Sequence, residues 1–215
     1  MDLPVKNETC PLCGERGQVY FSDHNHLFFT CPNCHGLFRD QDQWPDSQSE
    51  KERYLLHQNH MQDKGYQAFA GPILNAVRSD FDEGSFGLDY GCGHTPVISE
   101  ILRQENFKVE DYDPLFYPEK VFEGKAYDYV ICCEVIEHFH HPNREFALLN
   151  KLLNQNGRLI CMTDIYSDKI DFSRWYYKND PTHVFIYREQ TFRYICSQSN
   201  FRDVKIEGRL IQFLK

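Results

Sequence analysis

The chain has 215 residues, 41% of them hydrophobic, and a formal net charge of −9. That allows one full-sized domain with a small appendage and its own core. The acidic balance, with no basic run anywhere, argues against a surface that grips nucleic acid by its phosphates and against anionic membranes.

The start, Met1-Asp2-Leu3-Pro4-Val5-Lys6-Asn7-Glu8, has no apolar core and does not read as a signal peptide. No stretch reaches the apolar length of a membrane span. The nine cysteines are therefore expected in a reducing cytoplasm, where spaced cysteines mean metal or chemistry more often than disulfides. Four of them form Cys10-x-x-Cys13 and Cys31-x-x-Cys34, with 17 residues between the pairs. This is the spacing of a zinc ribbon. Each pair is followed by a glycine, Gly14 or Gly36, that lets the backbone curl and aim amides at thiolates. Val19-Tyr20-Phe21 and Leu27-Phe28-Phe29 read as the strands of a hairpin between the knuckles. So short a segment has almost no core without metal, so Cys10, Cys13, Cys31 and Cys34 are expected to hold structural zinc. Lys6, Arg16 and Arg39 face Asp2, Glu8, Glu15, Asp23, Asp40 and Asp42. That balance suits a structural or protein-docking module better than a nucleic-acid finger.

A polar linker over 41–47 follows, so the expected division is 1–46 for ribbon and linker and 47–215 for the main domain. Ser49-Glu50-Lys51-Glu52 resembles a capping box and predicts a helix to about residue 63, broken by Gly65. His57 and His60 would lie on its solvated face. Phe69, Ile73, Leu74 and Val77 predict a second helix with Pro72 inside it. Strands and helices then alternate, which predicts a mostly parallel sheet with helices on both faces. The expected strands are 86–90, 107–112, 127–133 and 158–163, and the helices 96–104, 144–153 and 189–199. In the first crossover, Thr95 is expected to cap the helix and Pro96 to take its first position. Strands 203–207 and 210–214 flank Gly208 too closely for a crossover, so they form an antiparallel hairpin. Little room is left between Asp113 and Tyr127, and a strand there is short or missing.

Phe86 and Leu88 lead into Asp89-Tyr90-Gly91-Cys92-Gly93-His94-Thr95, a strand ending at a carboxylate and a glycine turn. This is how α/β proteins build a nucleotide-sized site. The dinucleotide pattern Gly-x-Gly-x-x-Gly fails, because its third glycine would fall on Pro96. Asp113 ends the next strand, Glu134-Val135-Ile136-Glu137-His138 ends a later one, and Asn156-Gly157 opens another. Together these motifs resemble the class I S-adenosylmethionine-dependent methyltransferases, particularly small members with an N-terminal zinc ribbon. The resemblance runs from Phe86 to the C-terminus and implies a Rossmann-like fold and methyl transfer. It implies S-adenosylmethionine contacts at Asp89, Gly91, Gly93, Asp113 and Glu134. Asp89 either binds the methionine end or holds the loop. Thr95 stands where the family has its third glycine, and no carboxylate can be assigned to the adenine amino group.

Acceptor residues are expected in the helices ahead of the first large strand and in the long loop 164–188, which is rich in Tyr166, Trp175, Tyr176, Tyr177, Asp180, His183 and Tyr187. His183 or Tyr176 is expected to act as base or orienter; alternatively His183 only ties the loop to the sheet. Around His138-Phe139-His140-His141 no carboxylate–histidine spacing matches a metal site. The leading reading is methylation of a small molecule such as a sugar derivative. An RNA methyltransferase that docks substrate on the ribbon, and a non-catalytic binding module, are the alternatives.

Overall fold

The computed structural model describes residues 8–56 and 63–215. Its N-terminal sheet contains β1 (Gln18–Ser22), β2 (Leu27–Thr30) and β3 (Leu37–Arg39), paired antiparallel in that order. The first two are the expected hairpin. The third is three residues long and too short to show a period. The four cysteine sulfurs lie within 4.8 Å of one another, with Cys10–Cys34 at 3.5 Å and Cys13–Cys31 at 3.3 Å. Four thiolates on one tetrahedral zinc stand roughly 3.8 Å apart, given Zn–S bonds near 2.3 Å. The donor set therefore fits one zinc ion. Gly14 takes the left-handed turn of the first knuckle, but in the second it is His35, at φ 62°, and not Gly36. Gly36 serves packing: a Cβ there would lie 2.3 Å from the Phe185 ring.

Helix α1 (Ser47–Tyr54) begins earlier than expected. Asp46 caps it, accepting from the Ser49 amide at 2.8 Å, because a carboxylate three residues upstream outcompetes the serine hydroxyl. His57 and His60 lie outside the described residues. Gly65 does not break a helix. It sits in the first turn of α2 (Lys64–Asp80), where Asp63 accepts its amide at 2.8 Å. Pro72 is inside α2, and Ala70, Ile73, Leu74, Ala76 and Val77 form its buried stripe.

The main domain continues as β4 (Phe86–Tyr90), α3 (Val97–Gln104), β5 (Lys108–Tyr112), β6 (Tyr127–Cys133), α4 (Pro142–Leu152) and β7 (Leu153–Met162). It closes with β8 (Phe185–Ile186), α5 (Glu189–Gln198), β9 (Asp203–Glu207) and β10 (Leu210–Leu214). The large sheet has the order β5-β4-β6-β7-β10-β9. β4 to β7 are parallel, and β10 is antiparallel to both β7 and β9. The expected mixed sheet and hairpin are therefore present, and residues 113–126 add only an isolated bridge, Asp113 to Tyr117. Alternation along β6 sorts the two faces. Tyr129 and Ile131 pack with α2 and α3, while Val130 and Cys132 pack with Phe146 of α4 and Phe192 of α5. No described helix is long and apolar enough to cross a membrane.

β8 is the unexpected element. It leaves the long loop and pairs antiparallel with β3, Leu37 opposite Ile186 and Phe38 opposite Phe185. A strand from beyond residue 47 thus completes the ribbon sheet as β1-β2-β3-β8. Cys10, Cys31 and Cys34 share a buried cluster with Phe185, Tyr187 and Phe192. Phe28 and Leu37 share another with Tyr166, Phe172, Trp175 and Tyr177 from the loop. A fully buried aromatic ring stabilises by about 2–3 kcal/mol, and a structural zinc by about 10–16 kcal/mol. One zinc site is thus worth several such rings, and metal and rings together hold the ribbon in place. Cys31→Ala should abolish the one zinc per chain seen by elemental analysis and lower the thermal midpoint. Full zinc content, or an unshifted midpoint, would remove the structural role.

Candidate functional site

The turn after β4 is built on two glycines with different duties. Gly91 has φ 85° and Gly93 φ 69°. A Cβ on Gly91 would come within 2.6 Å of Val135, whereas one on Gly93 would meet nothing within 4 Å. The first lets two loops touch, and the second leaves space over the turn. The Gly91 amide donates to the Tyr112 carbonyl at 2.7 Å. Asp113 then locks the turn to the end of β5. One carboxylate oxygen accepts from the Gly93 amide at 3.0 Å, and the other from Leu115 and Phe116 at 2.9 and 3.1 Å.

Thr95 does not cap α3. The helix starts one residue later than expected, with Pro96 in the cap position and no side-chain cap. Thr95 instead offers its carbonyl to the Val97 amide at 2.8 Å. Asp89 is buried behind the turn and accepts from the Ser99 amide. Burial, reinforced by Asp111, pushes its pKa up to about 7.

A cavity of about 920 Å³ opens at the carboxyl ends of the parallel strands, where ligands of open α/β sheets bind. Gly91, Gly93, Asp113, Glu134, Tyr176 and His183 all border it, and Asp89 does not. Glu134 sits at φ 53° just beyond β6. One of its oxygens accepts from Arg209 at 2.7 Å. The other, Oε1, is buried without a partner. Burial and the neighbouring Glu137 push its pKa up to about 9, against the pull of Arg209. A buried, unpartnered carboxylate oxygen on a cavity wall suits a ligand that brings a donor or a positive charge. Arg209 also pairs with Asp164 at 2.6 Å, and Tyr176 donates to Asp164 at 2.6 Å. Burial and Asp164 raise the Tyr176 hydroxyl to about 12. It is a neutral donor at physiological pH, which suits an orienter and not a base.

His138 and His183 also border the cavity, and Glu137 lies buried behind its wall. Glu137 is fully buried, yet its partners are hydroxyls: Tyr177 at 2.6 Å and Thr163 at 3.1 Å. His138 Nδ1 lies 2.9 Å from the Thr182 carbonyl and His183 Nδ1 lies 2.8 Å from the Tyr177 carbonyl. A carbonyl only accepts, so both Nδ1 atoms carry the proton and both Nε2 atoms keep a lone pair in the neutral rings. Burial pushes His183 below the ordinary histidine pKa, which keeps it neutral. The rings are 5.0 Å apart, and one ligand atom from each of the three residues falls within 4.8 Å of the others. Two imidazoles oriented by carbonyls, beside a buried carboxylate, are the donor types that a divalent cation can use. The sequence offered no metal-site spacing near His138, and the proximity of these three residues arises only in the folded chain. Glu137 and His138 are adjacent, and the third group arrives from the far side of the long loop, a relation that local spacing does not express.

α1 roofs the cavity. Arg53 places Nε and Nη2 at 3.0 and 2.7 Å from one oxygen of Asp180. Burial opposes the charge on Asp180, but Arg53 and Thr182 hold its carboxyl well below the usual range. Glu50 reaches His140 at 3.2 Å, and Trp44 stacks on that ring at 4.7 Å.

Two outcomes follow from the turn. Gly91→Ala combines a disfavoured φ with a clash, so it should destabilise by about 2–4 kcal/mol in chemical denaturation. An unchanged midpoint would contradict the packing described. Asp89 keeps its proton in the folded chain up to about pH 7, whereas an unfolded aspartate loses it near pH ~4. The folded state binds more protons in that window, so this group makes stability fall as pH rises through it, by at most about 4 kcal/mol. Asp89→Asn should remove that component. The check is the wild-type-minus-variant difference in urea unfolding at acid and at mildly alkaline pH, and a constant difference would refute it.

A family model described as a methyltransferase domain matches residues 58–206. No curated protein matches the chain by sequence. Among solved structures, the chain is similar to magnesium protoporphyrin IX methyltransferase from Synechocystis with bound SAH. The identity is 18% and the TM-score 0.57, over 81% of this chain and 97% of that one. It is also similar to a putative O-methyltransferase from Nostoc punctiforme, at 14% identity and TM-score 0.53 over 68% and 57% of the two chains. A SAM-dependent methyltransferase from Archaeoglobus fulgidus matches at 16% identity and TM-score 0.51, over 70% and 99%. At such identities the likeness is one of fold. The family match spans well over half the residues, and on that ground the chain belongs to the methyltransferase-domain family, built on the fold of the S-adenosylmethionine-dependent methyltransferases.

Proposed function

We propose that the chain transfers a methyl group from S-adenosylmethionine to a small-molecule acceptor inside the roofed cavity. The observation that carries this reading is continuity: one cavity runs from the glycine turn to His138 and His183. S-adenosylmethionine supplies a methyl group already activated on a sulfonium. Gly93 leaves the room that such a ligand needs, and the free Oε1 of Glu134 suits its ammonium group. Asp113 retains acceptor capacity for ribose hydroxyls, while Pro114 and Leu115 supply an apolar wall for the adenine. Asp89 supports the turn from behind.

At the acceptor end, Glu137, His138 and His183 are the residues that would hold a divalent cation. Such an ion lowers the pKa of a bound hydroxyl. Without a cation, the unprotonated Nε2 of His183 is instead the group that can take the acceptor proton. Tyr176, fixed by Asp164, orients. α1 and the long loop exclude water and hold the reactants in line, which is most of what methyl transfer asks of a protein. The walls carry Glu50, Glu134, Glu145 and Asp180, a poor lining for a polyanion such as RNA. A compact acceptor with a hydroxyl or amine fits better. The four cysteines hold zinc for structure.

Calorimetry with S-adenosylhomocysteine should show one site per chain, weakened about tenfold or more in Asp113→Ala. No binding by the wild type would end the methyltransferase reading. Glu137→Gln and His183→Ala should keep that affinity but lose Mn2+ binding, followed by electron paramagnetic resonance. Unaltered Mn2+ binding in both would remove the cation site.

A further inference from the structure

We propose that the zinc ribbon builds the acceptor end of the cavity through Arg39, a positioning residue at the end of β3. The inference rests on the reading of the cavity as a cofactor end and an acceptor end. Arg39 is 3% exposed. Its Nη2 donates to the carbonyls of Lys178 at 2.7 Å and Asp180 at 3.0 Å. Its Nε donates to the carbonyl of His183 at 3.4 Å. One guanidinium thus gathers three carbonyls from the segment that carries Tyr177, Asp180 and His183. Carbonyls turned inward at the centre of a fold need donors, and the planar fork of arginine supplies several from one side chain. Lysine has a single point to offer.

The backbone carries the link further. The Arg39 amide donates to the Val184 carbonyl at 2.9 Å, and the Val184 amide donates to the Glu137 carbonyl at 3.0 Å. Val184 is therefore bonded to the ribbon on one side and to the Glu137–His138 turn on the other. His183 precedes it, and β8 follows it into the ribbon sheet.

Arg39 is itself placed by the ribbon. Its guanidinium lies 4.7 Å above the Phe28 ring of β2, and Trp44 Nε1 donates to its carbonyl at 3.2 Å. β2 and β3 run into and out of the knuckle of Cys31 and Cys34. Burial draws the Arg39 pKa down only to about 10, so the group remains a cation at physiological pH. The cofactor end has a different scaffold: Gly91, Gly93, Asp113 and Glu134 are held by β4, β5, β6 and Arg209. The chain thus assembles its cavity from two frames, and the ribbon governs one.

The test compares full-length, zinc-loaded wild type with Arg39→Ala and Arg39→Lys. Three readouts are taken: S-adenosylhomocysteine by calorimetry, Mn2+ by electron paramagnetic resonance, and amide exchange by mass spectrometry over 178–184 and 86–95. Arg39→Ala should leave S-adenosylhomocysteine affinity within about threefold. It should weaken Mn2+ about tenfold or more and speed exchange only over 178–184, and Arg39→Lys should recover part of both losses. Equal losses of both ligands, with faster exchange in both segments, would mean a global structural role and overturn the proposal. Unchanged Mn2+ binding and exchange would overturn it too. If the wild type binds S-adenosylhomocysteine but no Mn2+, the cation reading fails by itself. Exchange over 178–184 then decides: selective loss of protection in Arg39→Ala supports the positioning role, and unchanged protection ends it.

Discussion

Carboxylates crowd one edge of the sheet, and most of the architecture around the cavity answers the cost of burying them. Asp113, Glu134, Glu137 and Asp180 all arrive there with restricted access to water. A buried carboxylate without donors is untenable, and each of these is supplied differently. Asp113 takes three backbone amides. Glu134 takes Arg209 from the C-terminal hairpin, and Asp180 takes Arg53 from α1. Glu137 takes only hydroxyls. Segments far apart in the chain are recruited to one edge because the charge there has to be met.

The same constraint separates stable parts of the site from receptive ones. Asp113 is fixed to the turn by three amides and keeps some acceptor capacity. Glu134 keeps one oxygen bare, and the Glu137 carboxylate has hydroxyl partners, beside the imidazoles of His138 and His183. Those are the places proposed to receive the positive charge of a ligand. A methyltransferase gains from this arrangement, since its cofactor carries positive charge and its acceptor must lose a proton.

Much of this was legible beforehand. The two cysteine pairs, the glycine turn, Asp113 and the strand ending at Glu134 are contiguous motifs, and each lands where its spacing places it. The helix starts were less legible. Asp46 displaced Ser49 as a cap, Gly65 proved compatible with a first turn, and Thr95 fell one residue short of its helix. Those are contests between neighbouring acceptors that differ by about 1 kcal/mol, and sequence pattern alone does not settle them. β8 and the Glu137, His138 and His183 cluster were not legible. A two-residue strand has no period, and a cluster completed across a long loop has no spacing.

The amino-acid order alone determined the metal knuckles, the alternating sheet and the glycine turn, because each depends on residues a few positions apart. Only the tertiary structure decided which carboxylates would be bare, which imidazole nitrogens would converge and what the ribbon would touch. Those depend on hydrogen bonds such as Arg39 to Lys178 and Val184 to Glu137. Such bonds form between segments that meet only when the sheet, the ribbon and the long loop have packed together.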